Sequence, residues 1–433
     1  MKEFQECAGE MMDFIGKSPS CFHAVKNVAE MLEAQGFCEL KENSVWNLSQ
    51  GEGFYVIRNG SSLIAFRLPA RSESREIPQG FHIAASHSDS PCFKVKESPE
   101  MAVEERYLKL NTEKYGGMIL ATWLDRALSV AGRAAVRSEK GIETKLVNLD
   151  GDLMVIPNLA IHMNRDMNKG VEYNPQVDML PLYADCSQGK KSDVLKERIA
   201  RELGVAKEDI LGQDLFLYVR EKGRILGENG EFILSPRLDD LQCVFASVKG
   251  FLESTPKRYI NVCAVFDNEE VGSGTRQGAD STFLDDVLYR ITECLYGGRA
   301  SLLPMLAGSF LISADNAHGV HPNHPEKADP TNRPYLNGGV VIKYHGSQKY
   351  TTDALSGAKL KVWCEKAGVP WQTYVNRADV PGGSTLGNIS TAHVSVESVD
   401  IGLPQLAMHS AVETAGVKDT KYAVDLFRMY FQE

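Results

Sequence analysis

Short runs of consecutive apolar residues recur along this chain, separated by longer segments whose apolar residues repeat with a helical period. A run of five to seven apolar residues without a polar face is typical of a strand covered on both sides. Such runs predict strands at 81–86, 262–266, 310–315 and 338–343, and we also predict strands at 371–375 and 393–399. A further pair of runs, 54–57 and 63–66, is joined by Asn59-Gly60 and predicts a hairpin.

Amphipathic segments predict helices between these strands. They lie within 2–35, where Ser18-Pro19-Ser20 separates two helices, and at 242–252, 281–296, 354–367 and 418–431. Strands that alternate with helices indicate an α/β fold, with a mixed sheet that carries helices on both faces.

The pattern changes in the middle of the chain. From Phe93 onward, strand-like alternation dominates, and the segment 192–204, which closes on Gly204, is the one clear helix there. A chain of 433 residues is also long for a single core. We therefore predict a discontinuous first domain, 1–92 with 235–433, and an inserted β-rich domain at 93–234.

Composition narrows the classes of function. The chain is 43% hydrophobic and 24% charged, as in globular proteins, and its net charge of −10 argues against a general nucleic-acid binder. No run of eighteen apolar residues occurs, and the N-terminus lacks the apolar core of a signal peptide. Nine scattered cysteines without a Cys-x-x-Cys pair indicate reduced thiols in a cytoplasm and no sulfur-bound zinc.

Polar residues with metal-binding chemistry follow several predicted strands. Each one alone also fits a turn or a helix cap, but together they form a set: His87, Asp239, Glu269, Glu270, Asp315 and His409. Two imidazoles with carboxylates and no thiolate suit Zn²⁺, Mn²⁺ or Co²⁺. In the adjacent pair Glu269-Glu270, one carboxylate can bind a metal while the other accepts a proton from water.

The motifs that hold these residues resemble the aspartyl aminopeptidase family of dinuclear metallopeptidases, over nearly the whole chain. They are His87-Ser-Asp89-Ser-Pro, Ser235-Pro-Arg-Leu-Asp239, Asp267-Asn-Glu269-Glu270-Val-Gly-Ser, Ser313-Ala-Asp315-Asn-Ala-His318 and Leu406-Ala-Met-His409-Ser. The resemblance implies a peptidase that removes N-terminal Asp or Glu from short peptides. It also implies two divalent ions per subunit, Zn²⁺ first, with Mn²⁺ or Co²⁺ as alternatives.

The resemblance assigns a role to each metal ligand. Asp239 would bridge the two ions, Glu270 and His409 would complete one site, and His87 and Asp315 the other. The family usually has Asn after the bridging aspartate, whereas this chain has Asp240. We choose Asp239 as the bridge because it follows Pro-Arg-Leu. Relatives often have a cis peptide bond after this residue.

Other residues receive roles around the metals. Glu269 would be the general base, Asp89 would orient His87, and His318 would lie near the developing oxyanion. Lys343 matches a lysine of the specificity pocket, although a lysine at a strand end can equally point to solvent. In the family, the inserted domain mediates dimerisation and sends a histidine, here His162, into the neighbour's site. Larger members form dodecamers.

Three other functions stay open at this stage. The same site could act on peptides with other N-terminal residues, or could hydrolyse N-acyl amino acids if a cation held the substrate carboxylate. The chain could also be a self-assembling binding shell without catalysis, although the presence of Glu269 and all five predicted ligands argues against it.

Overall fold

The computed structural model describes residues 1–70, 78–383 and 385–433. Its strands, numbered in chain order, are β1 Cys38–Leu40, β2 Gly53–Arg58, β3 Ser62–Arg67, β4 Phe81–His87, β5 Cys92–Val103, β6 Tyr107–Tyr115, β7 Leu128–Ser138, β8 Gly141–Asn148, β9 Leu182–Asp185, β10 Ile210–Val219, β11 Arg224–Leu226, β12 Phe232–Ser235, β13 Ile260–Phe266, β14 Phe310–Ala314, β15 Ala317–His318, β16 Val340–Tyr344, β17 Trp371–Val375, β18 Glu397–Gly402, β19 Pro404–Leu406 and β20 Glu413–Gly416.

The α-helices in the described residues are α1 Lys2–Lys17, α2 Cys21–Glu33, α3 Val194–Leu203, α4 Leu238–Leu252, α5 Phe283–Tyr296, α6 Arg299–Ala307, α7 Ala354–Ala367, α8 Leu386–His393 and α9 Asp419–Gln432. Two compact units divide the chain. The first comprises residues 1–89, 223–408 and 413–433, and the second comprises 90–222 with the short segment 409–412.

The first unit is built on a nine-stranded mixed sheet with the order β1-β2-β3-β13-β4-β14-β18-β16-β17. Alternate residues of its central strands enter two separate cores. Cys263 and Val265 of β13 pack with α1, α2, α4, α7 and α9, whereas Val262, Ala264 and Phe266 pack with α5, α6 and α8. The predicted α/β fold with helices on both faces is therefore confirmed.

A second, five-stranded sheet of the first unit has the order β11-β12-β20-β19-β15. In it, Glu413 of β20 pairs with Ser235 of β12, and β15 pairs in parallel with β19. This sheet includes β11 and β12, which the sequence placed at the end of the inserted domain.

The second unit consists mainly of an antiparallel sheet with the order β8-β7-β10-β5-β6-β9, together with α3. Its core includes buried residues of β7 and β10, such as Val130 and Leu217. The unit boundaries at 90 and 222 differ from the predicted 93 and 234. The dimerisation role of this unit stays a prediction.

One predicted strand, 393–399, is wrong in its first half. Residues Leu386–His393 form α8, and the strand β18 begins only at Glu397. Only His393 of the predicted segment lies in this helix. Val394 follows the helix and packs in the same core as Leu386, so residues 394–396 connect α8 to β18 although their valines favour a strand.

No helix in the described ranges is long and apolar enough to cross a membrane. All nine cysteines are free thiols, as a reducing compartment would maintain them. The predicted cytoplasmic location itself stays a prediction.

His82 on β4 is a titratable group buried in the core of the first unit. Its ring stacks on Tyr259 at 3.8 Å between centroids and on Tyr430 at 4.5 Å. Burial lowers the pKa of His82 to about 4, because the charged imidazolium would lose its hydration.

We expect His82→Phe to weaken the acid sensitivity of folding. The pKa of His82 is lower in the folded chain than in the unfolded chain, so its contribution to stability is complete above pH 6.5 and is lost as the pH falls toward 4. The shift corresponds to about 3 kcal/mol. Urea unfolding between pH 7 and 4 measures it; equal losses in variant and parent would contradict the prediction.

Candidate metal centre

The predicted strand-end residues come from three neighbouring strands of the nine-stranded sheet. β4 lies between β13 and β14 and runs parallel to both. Because parallel strands end at the same edge of a sheet, three polar segments meet there. These are His87 at the end of β4, the turn Glu269–Val271 after β13 and Asp315 directly after β14.

The start of α4 brings two further carboxylates to this edge. Asp239 and Asp240 have non-helical backbone angles, the peptide bond between them is cis, and both are buried. The Nε2 atom of His87 lies 3.5 Å from Oδ1 of Asp239, 3.9 Å from Oδ1 of Asp315 and 4.0 Å from Oδ2 of Asp240. These four residues offer ligand atoms that all lie within 4.8 Å of one another. Sequence reasoning had not placed both aspartates in the cluster.

His87 is oriented through its other ring nitrogen. Nδ1 lies 3.1 Å from the main-chain carbonyl of Asp89 and 3.4 Å from its carboxylate. Because the carbonyl only accepts hydrogen bonds, Nδ1 is the donor, and in a neutral ring Nε2 presents its lone pair to the cluster. Asp89 therefore lies where an orienting residue would, with its main chain closer than its side chain.

The Asp89 carboxylate also contacts the turn that follows β13. Its two oxygens accept hydrogen bonds from the main-chain N–H groups of Glu269 and Glu270, each at 3.2 Å. Positive φ angles at Asn268 and Gly272 flank this turn. One aspartate thus contacts both His87 and the pair of glutamates.

The cluster carries more negative charge than its cationic groups can neutralise. Burial raises the pKa of Glu269 to about 8, and the charges of Asp315 and Asp89 add to this effect. Burial also raises the pKa of Glu270 and of Asp240 well above their usual range. Burial alone would lower the pKa of His87, but the surrounding carboxylates, Asp240 first, raise it well above its usual value.

These residues fit a divalent metal ion. The buried Oδ1 atom of Asp240 accepts no hydrogen bond from any group in the described part of the chain. Carboxylate oxygens and an imidazole nitrogen are ligands that Zn²⁺ accepts. Cys243 near the cluster donates to Asn316, and burial raises the pKa of its thiol well above the usual value.

Lys343 on β16 does not point into solvent. Its side chain is 3% exposed, and Nζ lies 3.5 Å from Oδ2 of Asp315. Burial lowers the pKa of Lys343, but Asp315 and other nearby acids outweigh this and raise it above the usual value, so the ammonium stays charged. The alternative of a solvent-exposed lysine is therefore wrong.

The predicted histidines beyond His87 lie in different places. His318 is an exposed residue of β15, with its ring 6.0 Å from the ring of Tyr374. His162 is exposed in a loop of the second unit. His409 belongs to the short segment 409–412 of that unit, and its Nδ1 lies 2.5 Å from the carbonyl of Gly117. As in His87, this leaves Nε2 as the nitrogen that can bind a metal.

Sequence reasoning missed Glu413. Its carboxylate is buried, and Oε2 accepts a hydrogen bond from the main-chain N–H of Asp239 at 3.1 Å. A carboxylate four residues after His409 was the available signal, but nothing in its spacing distinguished it from a surface residue of a strand.

Comparison with known proteins gives the family. The family model described as "Aminopeptidase I zinc metalloprotease (M18)" matches residues 14–431. The chain belongs to the M18 peptidase family. Its relative in Clostridium novyi, named "Probable M18 family aminopeptidase 2", is 49% identical over the full length of both chains. The predicted family and the predicted enzyme class, a metal-dependent aminopeptidase, are confirmed.

Solved M18 structures share the fold. A chain in the cryo-EM structure of the Ape4 and Nbr1 complex is 37% identical, with a TM-score of 0.94, and the match covers 99% of this chain and 86% of that one. A chain in the structure of the S. cerevisiae mApe1 dodecamer is 28% identical in sequence, with a TM-score of 0.87, and the match covers 99% of this chain and 97% of that one. The family is one of zinc enzymes, so this M18 chain is a zinc-dependent aminopeptidase.

Proposed function

We propose that this aminopeptidase uses two zinc ions to remove N-terminal Asp or Glu from short peptides. The observation that carries the proposal is the buried cluster of His87, Asp239, Asp240 and Asp315, with its ligand atoms within 4.8 Å of one another. Next to it lie two more carboxylates, Glu269 and Glu270, whose main-chain N–H groups are held by Asp89.

The two ions would be held by different residues. His87 and Asp315 would bind one ion and Glu270 and His409 the other, with Asp239 shared between them. Two features support this division. Nε2 of His87 faces the carboxylates of both Asp239 and Asp315, and the hydrogen bond of His409 to Gly117 prepares its Nε2 for a metal.

In this proposal Glu269 is the general base. Zinc, when bound, acts as a Lewis acid toward the peptide carbonyl and lowers the pKa of water. Glu269 takes a proton from the attacking water, and the oxygen of that water forms a bond to the carbonyl carbon. The C–N bond then breaks, and Glu269 returns the proton to the leaving amine. Its partly buried position beside other carboxylates supports a carboxyl that gains and loses protons near neutral pH.

His318 would stabilise the developing oxyanion. It lies on β15, only three residues after Asp315 in the chain, and its ring is exposed and able to meet a substrate. A hydrogen-bond donor at this position contributes on the order of 3 kcal/mol to transition-state stabilisation.

Lys343 would select the acidic side chain. Its ammonium is charged and lies 3.5 Å from Asp315. An ammonium has three hydrogens, so this one ion pair leaves donors for a substrate carboxylate. The resemblance to aspartyl aminopeptidases supports this choice over a site for neutral N-terminal residues.

The chain would also assemble with copies of itself through the second unit. Its loops expose four large apolar side chains within nineteen residues, Leu159, Ile161, Met163 and Val177, by 43% to 74%, and a contact with another subunit would cover them. A related M18 structure is a dodecamer. His162 lies between two of these residues and would enter the active site of a neighbouring subunit.

We expect Glu269→Gln to retain two zinc ions per subunit while kcat falls by about 10²–10⁴-fold, because the amide cannot accept the proton. Metal analysis and peptide hydrolysis measure both quantities. One zinc ion per subunit in the parent would contradict the dinuclear site, and an unchanged kcat would exclude Glu269 as the base.

We expect the parent to prefer Asp- and Glu-terminated peptides, and Lys343→Met to reduce kcat/KM for these by about 10- to 100-fold with little effect on Leu-terminated peptides. A hydrogen bond to a charged group contributes about 1.5–3 kcal/mol. Lys349→Met, at an exposed lysine six residues away, is the matched control. Zinc loss together with equal loss for all substrates would show that Lys343 supports Asp315 instead.

We expect His162→Ala and Glu269→Gln to complement each other in mixed assemblies. A subunit with Glu269 intact would receive His162 from its partner, and so up to about a quarter of parental activity would return, provided that the two variants mix at random. Co-expressed subunits with different tags allow the mixture to be isolated, and sedimentation velocity gives its size. Activity no higher than that of the separate variants would contradict a shared site.

A further inference from the structure

A chain of buried polar side chains lies behind Asp239 within the first unit. Glu413, Gln405 and Asn316 are each 2% exposed or less. Glu413 on β20 pairs with Ser235 on β12. Ser235 lies four residues before Asp239 in the chain. Strand pairing thus brings this carboxylate to the start of α4.

The first contact of this chain is with the Asp239 backbone. The N–H of Asp239 is one of the first donors of α4 and has no acceptor within the helix. Oε2 of Glu413 accepts it at 3.1 Å. A charged acceptor at a helix N-terminus also interacts favourably with the helix dipole. The carboxylate therefore holds the residue whose own side chain faces His87.

The hydrogen bonds of Asn316 and Gln405 determine which atoms of this chain of side chains donate and which accept. Asn316 donates through Nδ2 to the carbonyl of Leu238 at 3.1 Å and to Oε1 of Gln405 at 2.8 Å. Gln405 then donates through Nε2 to Oε1 of Glu413 at 3.4 Å. Since a backbone carbonyl can only accept a hydrogen bond, the Asn316 atom that faces Leu238 must be the donor Nδ2. The same Nδ2 requires an acceptor from Gln405, which orients the Gln405 amide with Oε1 toward Asn316 and Nε2 toward Glu413.

We propose that Glu413 is a positioning residue for zinc binding, which fixes Asp239 through its backbone without itself touching the metal. The inference rests on the proposed role of Asp239 as a ligand. Glu413 lies between two donors, the Asp239 N–H and the Gln405 amide, so both of its oxygens must accept. A carboxylate does this, and a carboxamide does not.

The test is a swap of two side chains. In Glu413→Gln, the NH2 group of the new amide faces the NH2 group of Gln405, so two donors meet. If Gln405 turns its amide over, its NH2 group faces the NH2 group of Asn316 instead. In the double variant Gln405→Glu with Glu413→Gln, the new amide at position 413 accepts from Asp239 and donates to the new carboxylate at position 405. That carboxylate also accepts from Asn316. The double variant restores the hydrogen bonds among Asp239, residue 413, residue 405 and Asn316, and it restores the net charge.

We expect Glu413→Gln to weaken zinc affinity by about 10- to 100-fold, as loss of a residue that orients a metal ligand does. The double variant should recover most of this loss. Competition with a chromophoric chelator measures the affinity independently of turnover. Hydrolysis kinetics at saturating zinc should show a KM within about twofold of the parent.

Asp419→Asn is the matched control. Asp419 is also a fully buried carboxylate of the first unit that accepts main-chain N–H groups, from Asn337 and Gly339. We expect this variant to lower the melting temperature but to leave zinc affinity unchanged. If it weakens zinc binding as much as Glu413→Gln does, the effect of Glu413 is general destabilisation and the inference is wrong.

Asp239→Ala separates this inference from the proposed site. If Asp239→Ala weakens zinc binding while Glu413→Gln does not, the metal site stands and the positioning role fails. If Asp239→Ala leaves zinc affinity unchanged, the proposed ligand role itself fails. Failure of the double variant to recover affinity would also overturn the hydrogen-bond argument.

Discussion

The concentration of negative charge at one edge of the central sheet is the constraint on which the rest of the structure depends. Asp239, Asp240 and Asp315 surround His87, and a single imidazole with a single lysine cannot neutralise them together with Glu269 and Glu270. Burying unpaired carboxylates is costly in free energy. A divalent cation lowers this cost, and that is the physical reason why these residues fit a metal ion.

The surrounding structure holds these charges at fixed distances. Three adjacent strands and one helix start supply the side chains, and each element is packed in a core on its buried face. Asp89 contacts both His87 and the glutamate pair, and Glu413 on β20 of the five-stranded sheet contacts Asp239. These hydrogen bonds help to keep side chains that repel one another at short distances.

Lys343 forms a buried ion pair with Asp315 at the edge of the cluster. Its ammonium lies beside Asp315, so the positive charge proposed to recognise an acidic peptide is also part of the electrostatic balance of the cluster. In the proposed site, the group that recognises the substrate would therefore also be one member of a buried charge pair.

The apolar runs and the motif residues determined much of this protein from sequence alone. They indicated the α/β class, the strands that end in His87 and Asp315 and the glutamate pair, because buried strands and strand-end chemistry leave a local pattern. The motifs also resembled the aspartyl aminopeptidase family. Tertiary structure decided the rest. Asp240 joined the cluster, Lys343 turned inward, Glu413 reached Asp239, and residues 386–393 became a helix. These outcomes depend on which distant segments pack together, and residues as far apart as 87, 239 and 413 carry no local signal of that contact.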